Sequence, residues 1–165
     1  MGLFGFGKKK LTETIYAPVS GKLQTLENVS DPVFAQKLMG DGFGVVPTQE
    51  DIYSPVEGTV TSVFKTKHAL GLKTPNGLEV MVHMGLDTVE LNGKPFEILV
   101  GEGDKVKAQT PIAKMDLEQV KAANKDTVVL TIITNTADKL DKADLSVTNN
   151  SDLKVGTEVL AATLK

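Results

Sequence analysis

Twice in this chain an isoleucine and a tyrosine lead into a proline, with a glycine three positions after it. Ile15-Tyr-Ala-Pro-Val-Ser-Gly21 returns as Ile52-Tyr-Ser-Pro-Val-Glu-Gly58. Proline has no N–H to donate, so it breaks the hydrogen-bond ladder after a strand, and glycine then permits a tight turn into the next one. A second pair behaves alike: Asp104-Lys-Val-Lys-Ala-Gln-Thr-Pro-Ile112 and Asp152-Leu-Lys-Val-Gly-Thr-Glu-Val-Leu160 both read as turn, then strand. Duplicated half-motifs of this kind predict a pseudosymmetric antiparallel β-sandwich or barrel, which removes free edges by closing on itself. The repeats are too few and too short for a solenoid.

The rest of the chain agrees with an all-β reading. From Leu11 onward, short runs rich in Val, Ile, Thr and Tyr alternate with Gly, Pro, Asn and Asp. Strands are expected at 13–17, 21–26, 43–47, 51–54, 57–65, 68–74, 78–84, 96–100, 111–114, 127–134 and 158–163. Only two short helices are signalled. Ser30-Asp31-Pro32 supplies a cap and a first-turn proline, with Gly40 as the stop; Asp116-Leu-Glu-Gln119 opens about two turns ending near Asn124. No linker divides 11–165, so one domain is expected there. Residues 1–10 read as a flexible leader. Its apolar part precedes its lysines and no cleavage region follows, which is unlike a signal peptide. Peripheral lipid contact through Leu3, Phe4 and Phe6, with Lys8, Lys9 and Lys10 on phosphates, is the alternative for this segment.

Composition removes several kinds of chemistry. There is no Cys, hence no disulfide, thiol nucleophile, thiolate metal site or iron–sulfur cluster. A net charge of -3, with 18 scattered Lys and Arg, argues against a nucleic-acid binder. No apolar run reaches the ~18 residues of a membrane span, and a cytoplasmic location is expected. Only two histidines exist, so any imidazole chemistry rests on His68, His83 or both.

Those two flank a hairpin signal, Asn76-Gly77, between alternating strands. A two-residue type I′ turn would set Leu70 opposite His83 and make His68 a diagonal neighbour on the same face. A type I turn with Gly77 in a G1 bulge would instead pair Leu70 and Leu72 with Val82 and Val80, a better apolar face, and would send the two histidines to opposite sides. Pattern alone leaves both registers open; a twist or bulge, for instance at Gly71, would reconcile a packed core with converging rings, and convergence is the reading adopted. Two neutral imidazoles side by side suit phosphoryl transfer. One ring nitrogen attacks phosphorus, and the neighbour donates to the phosphoryl oxygens. Thr66 can fix a tautomer of one ring, and Asp31 or Asp87 can influence protonation. Spacing alone names no enzyme class, because a lone hairpin histidine is more often structural than chemical.

The residues do match a known family. Ile15–Gly21, Asp31-Pro-Val-Phe-Ala35, Gly40-Asp-Gly42, Pro55-Val-Glu-Gly58, Thr66-Lys-His68-Ala and Val82-His83-Met-Gly-Leu-Asp-Thr-Val-Glu-Leu91 resemble the glucose-type enzyme IIA component of the bacterial phosphoenolpyruvate-dependent sugar phosphotransferase system. The resemblance covers nearly everything after residue 11. It implies a β-sandwich phosphocarrier. His83 would take the phosphoryl group on Nε2 from phospho-HPr and pass it to a Cys of a IIB domain. His68 would stabilise that group, Thr66 would orient His68, and Asp31 and Asp87 would support the site. An apolar docking ring would comprise Val33, Phe34, Met39, Phe64 and Met81, the last replacing a Phe found in some relatives. With no Cys in this chain, the acceptor is expected on another polypeptide. Control of permeases or kinases through phosphorylation state is a further implication, and no cofactor is required.

Other classes give competing readings. Lysostaphin-type zinc hydrolases share a related fold, and His68, His83 and one of Asp31 or Asp87 would supply three zinc ligands. Their His-x-His motif is absent, so zinc held by His68 and His83 with a carboxylate from a partner is the easier variant. A biotinyl or lipoyl carrier would use Lys114, but Ala113-Lys-Met-Asp116 leads into a helix rather than a hairpin tip. A purely structural binding module is the last; Gly40-Asp-Gly-Phe-Gly44 has no following helix to make it a nucleotide loop.

Overall fold

The computed structural model describes residues 10–165. The expected leader therefore lies outside the described residues except for Lys10, which ion-pairs with Asp141 at 3.0 Å. The architecture is an all-β sandwich. One sheet has eight strands: β13 (Asp152–Leu153), β2 (Gly21–Gln24), β3 (Asp41–Pro47), β11 (Val129–Ile133), β7 (Glu79–Met84), β6 (Ala69–Lys73), β5 (Gly58–Val63) and β9 (Lys105–Val106), in that spatial order. Two three-stranded sheets accompany it: β1 (Thr12–Tyr16), β14 (Glu158–Leu164) and β12 (Leu140–Leu145), and β4 (Asp51–Tyr53), β10 (Pro111–Met115) and β8 (Phe96–Ile98). Every paired ladder is antiparallel. The main core, including Ile15, Phe43, Ile52, Leu70, Leu72, Val80, Val82 and Met115, fills the interior.

The repeats act on each other. Tyr16 N–H donates to the Pro55 carbonyl at 2.9 Å, and Tyr53 N–H donates to the Pro18 carbonyl at 2.7 Å. The second pair of motifs completes the symmetry. Ala17 N–H donates to the Thr157 carbonyl and the Ala17 carbonyl accepts from Gly156 N–H, while Ser54 N–H donates to the Thr110 carbonyl and the Ser54 carbonyl accepts from Gln109 N–H. Gly21 and Gly58 then enter the large sheet at equivalent places, paired with Leu153 and Val106. Both glycines are required by close approach. A Cβ on Gly21 would stand 2.0 Å from Val46 O, and one on Gly58 would stand 2.4 Å from Lys73 O. Because the obstacle is backbone, no rotamer relieves it. Gly21→Ala is therefore expected to destabilise the fold by about 3 kcal/mol, read as a lower urea midpoint; an unchanged midpoint would refute this account of the repeat.

All eleven expected strands have counterparts, with ends shifted by a few residues. The helices differ more. Asp31 does cap α1 (Pro32–Ala35), its carboxylate accepting from Val33 N at 2.9 Å, but the helix is a single turn that ends at Gln36 rather than running to Gly40. Lys37, at φ 60, turns the chain first. Asp116 caps α2 (Leu117–Ala122) as expected. Strands β9 and β13 fall in the opening segments of the second motif pair, read from the sequence as turns, while β12 and a short helix α3 (Thr136–Lys139) carried no recognised signal. Among the described residues, no helix is long and apolar enough to cross a membrane.

A smaller apolar cluster lies on the outer face of the large sheet. It joins Leu26, Val29 and Phe34 to Ala69, Met81, Leu86, Val128, Leu130 and Ile132. This patch holds the segment around α1 against the sheet and builds the surroundings of the histidines.

Candidate functional site

The hairpin takes the bulged register: Ala69 pairs with His83, Leu70 with Val82 and Leu72 with Val80. The core thus receives its apolar face. The expectation that this register separates the histidines fails, because His68 lies just outside β6. Lys67, immediately before it, sits in the left-handed region at φ 61 and turns the chain. His68 is freed from strand alternation and leans onto the face that His83 occupies. The β6–β7 pairing stays regular; the irregularity near Gly71 is carried by β5, between Val60 and Ser62. The imidazole centroids are 5.0 Å apart at an interplanar angle of 83°. A phenylalanine braces each ring: Phe34 lies 5.1 Å from His83, and Phe64 lies 5.3 Å from His68.

Hydrogen bonds assign the ring nitrogens. His83 Nδ1 lies 2.8 Å from the Gly85 carbonyl. A carbonyl only accepts, so Nδ1 carries the proton and Nε2 keeps its lone pair. His68 Nδ1 lies 2.7 Å from Thr66 Oγ1. With the hydroxyl donating, Nε2 of His68 carries its proton and is a donor. Gly85 is itself held at φ 78, where a Cβ would meet Thr88 Cγ2 at 2.5 Å and Asp126 O at 2.9 Å. Thr88 further ties this turn to the strand through Oγ1 to Met84 O at 2.6 Å.

Burial keeps the pair neutral. It lowers the His83 pKa from 6.5 to about 4, chiefly by desolvating the imidazolium and secondarily through repulsion from a charged His68. The Gly85 carbonyl and the charges of Asp31 and Asp87 oppose this shift. Desolvation lowers the His68 pKa as well. The sign for stability follows: the unfolded chain binds the His83 proton more readily, so this residue costs stability as pH falls from 6.5 toward about 4.

The five residues expected to form the docking ring divide in two. Val33, Met39 and Phe64 are exposed by 42%, 41% and 40%. Phe34 and Met81 are buried, so they floor the site from within the small cluster instead of presenting a rim. Exposed Leu38 and Val89 were not anticipated. Leu38 neighbours Met39, and Val89 follows Asp87 by two positions. Asp87 stands at the head of the turn Thr88–Leu91 with φ 58. Together with Asp31, Asp126 and Lys125 it lines a concavity of about 340 Å³. Lys125 is engaged by Glu90 at 2.9 Å, which leaves that concavity acidic.

Neither carboxylate completes a metal set with the histidines: among the described residues, no three His, Asp or Glu side chains come together as one. Lys114 lies within β10 opposite Asp51, not at a hairpin tip. Gly40–Gly44 leads into and forms the start of β3, with Phe43 in the core.

The protein is thus a β-sandwich that holds two imidazoles together beside the exposed side chains of Val33, Met39 and Phe64. Comparison with known proteins identifies its family. The model of the phosphoenolpyruvate-dependent sugar phosphotransferase system, EIIA 1, family matches residues 13–139. The chain belongs to this family. It is 44% identical over 164 residues to a protein of Staphylococcus aureus (strain COL) described as the glucose-specific EIIA component, covering 98% of this chain and 97% of the relative. It is 51% identical over 133 residues to the protein of the same description from Staphylococcus epidermidis (strain ATCC 12228), covering 79% and 80%. The solved glucose permease IIA of Mycoplasma capricolum superposes with a TM-score of 0.79 at 32% identity, over 94% of this chain and 97% of that one.

Proposed function

We propose that this protein is the phosphocarrier of a glucose-type sugar uptake system. Nε2 of His83 attacks the phosphorus of phospho-HPr; the P–Nε2 bond forms as the bond to HPr breaks. The thiolate of a IIB cysteine then attacks the same phosphorus. The P–S bond forms, the P–Nε2 bond breaks, and His83 returns to its neutral state. Throughout, the proton stays on His83 Nδ1, which donates it to the Gly85 carbonyl, and His68 donates from Nε2 to the phosphoryl oxygens. No metal of its own is needed, since the donor arrives activated. Staphylococcal relatives named as glucose-specific EIIA components favour glucose as the sugar served.

The observation that carries this reading is the tautomer assignment: the 2.8 Å bond from His83 Nδ1 to Gly85 leaves Nε2 free, 5.0 Å between centroids from a second imidazole. The exposed apolar residues Val33, Met39 and Phe64 suit brief docking with more than one partner. Incubation with phosphoenolpyruvate, enzyme I and HPr should yield one acid-labile phosphate per chain, and mapping should place it on His83. Modification at another residue would refute the assignment.

A further inference from the structure

A cavity of about 660 Å³, larger than those beside the histidines, opens at the far edge of the eight-stranded sheet. Its position follows from register. Thr59 of β5 pairs with Lys73 of β6 on one side and with Lys105 of β9 on the other. Directly paired residues point to one face, so the rung reads lysine, threonine, lysine. Two inter-strand spacings put the lysine Cα atoms ~10 Å apart. Their long stems can converge over the hydroxyl between them. Lys107, two residues on from Lys105, and Thr61, two residues on from Thr59, also line the cavity.

The charge is uncompensated. Among the described residues, Lys73, Lys105 and Lys107 make no ion pair. Lys73 stands opposite Glu79 in the ladder but is not paired with it. Glu57 is the single carboxylate in the lining, against three ammonium groups, which leaves two positive charges. The volume is that of a small-molecule site and far exceeds a bare anion. Threonine hydroxyls offer hydrogen bonds, and Pro75 and Val106 offer apolar contact.

We propose that the shelf formed by Lys73, Thr59 and Lys105 is a second binding site, for the phosphate monoester of a small polyhydroxylated molecule. The phosphate dianion sits between the two ammonium groups on the Thr59 hydroxyl, and its charge matches the excess of the lining. The organic part lies toward Thr61 and Val106. The site is separate from the histidines. It shares their face of the sheet, but the rung of Lys73 and Glu79 lies four residues along β7 from His83, ~14 Å away.

Titration of the full chain, observed through backbone amide resonances, tests this with inorganic phosphate and with ribose 5-phosphate. Both should move amides at 58–61, 73–74 and 105–107, ribose 5-phosphate with a Kd of about 1 mM or tighter and inorganic phosphate more weakly. The double variant Lys73→Gln, Lys105→Gln should bind ribose 5-phosphate at least about tenfold more weakly, whereas Thr59→Ser should retain binding. Uncharged ribose should move nothing. Absence of shifts at tens of millimolar, shifts confined to the surroundings of His68 and His83, or equal binding by the double variant would each overturn the proposal. Phosphorylation of His83 by HPr is read separately and should survive in the double variant.

Discussion

His83→Gln should abolish phosphoryl acceptance, a loss of at least about a thousandfold in the rate of labelling by phospho-HPr. Glutamine is the informative replacement because its amide approximates the outline of the ring and can still hydrogen-bond to the Gly85 carbonyl. Its nitrogen lone pair is delocalised into the amide, so it cannot form the P–N bond. Packing against Phe34, 5.1 Å from the imidazole, is largely retained. A second readout separates chemistry from folding. In the parent protein the buried imidazole, its pKa pushed down to about 4, makes stability fall as pH drops below 6.5. The glutamine has no such proton to take up, so the variant's stability should depend less on pH in that window. Acid-labile phosphate on the variant, at His68 or elsewhere, would overturn the assignment of His83 as acceptor. An unaltered pH profile would show that His83 does not titrate as its burial demands.

How much of this was legible in the residues differs from element to element. The duplicated Ile-Tyr-x-Pro-Val-x-Gly motif announced a pseudosymmetric sandwich, and the reciprocal bonds between Tyr16 and Pro55 and between Tyr53 and Pro18 are its physical content. Alternation located the strands because each buries one face. The hairpin register was undecidable from turn chemistry, since Asn76-Gly77 serves two turn types; burial of Leu70, Leu72, Val80 and Val82 decided it. That choice seemed to cost the histidine pair. What rescued the pair was the left-handed Lys67, and lysine carries no sequence signal for positive φ. The helix at Asp31 was overextended because Gly40 looked like its stop, whereas the strand begins at Asp41 directly after that glycine. Strand β12, Leu-Asp-Lys-Ala-Asp-Leu, is mostly exposed and half charged, so it lacks the apolar alternation by which strands are recognised. Rim and floor of the site were not separable either. Phe34 and Phe64 are the same residue type, yet one is 8% exposed and the other 40%, a difference made by tertiary packing under α1.

His68→Gln should leave acceptance on His83 intact while slowing donation to the IIB cysteine by about a hundredfold. The nucleophilic lone pair on His83 exists without help from its neighbour: Gly85 fixes the tautomer and burial keeps the ring neutral. In the proposed cycle the phosphorylated state and the onward transition state are different, because both would put negative oxygens beside His68. Thr66 Oγ1 lies 2.7 Å from His68 Nδ1, and with the hydroxyl donating there, Nε2 of His68 carries the proton and is the donor. Removing one preorganised donor from a developing anion typically costs ~100-fold to ~1,000-fold in rate. Glutamine recovers part of this through its own N–H, which sets the expectation at the lower end. Thr66→Val should slow donation in the same direction but by less, since it removes the tautomer preference and leaves the donor. The substitution at His68 carries an independent signature. A charged His68 is one of the causes that depress the His83 pKa, so the His83 pKa should rise in the variant, as read by imidazole proton shifts against pH. Loss of acceptance in His68→Gln, or donation at the parent rate, would refute this division of labour between two imidazoles whose centroids lie 5.0 Å apart.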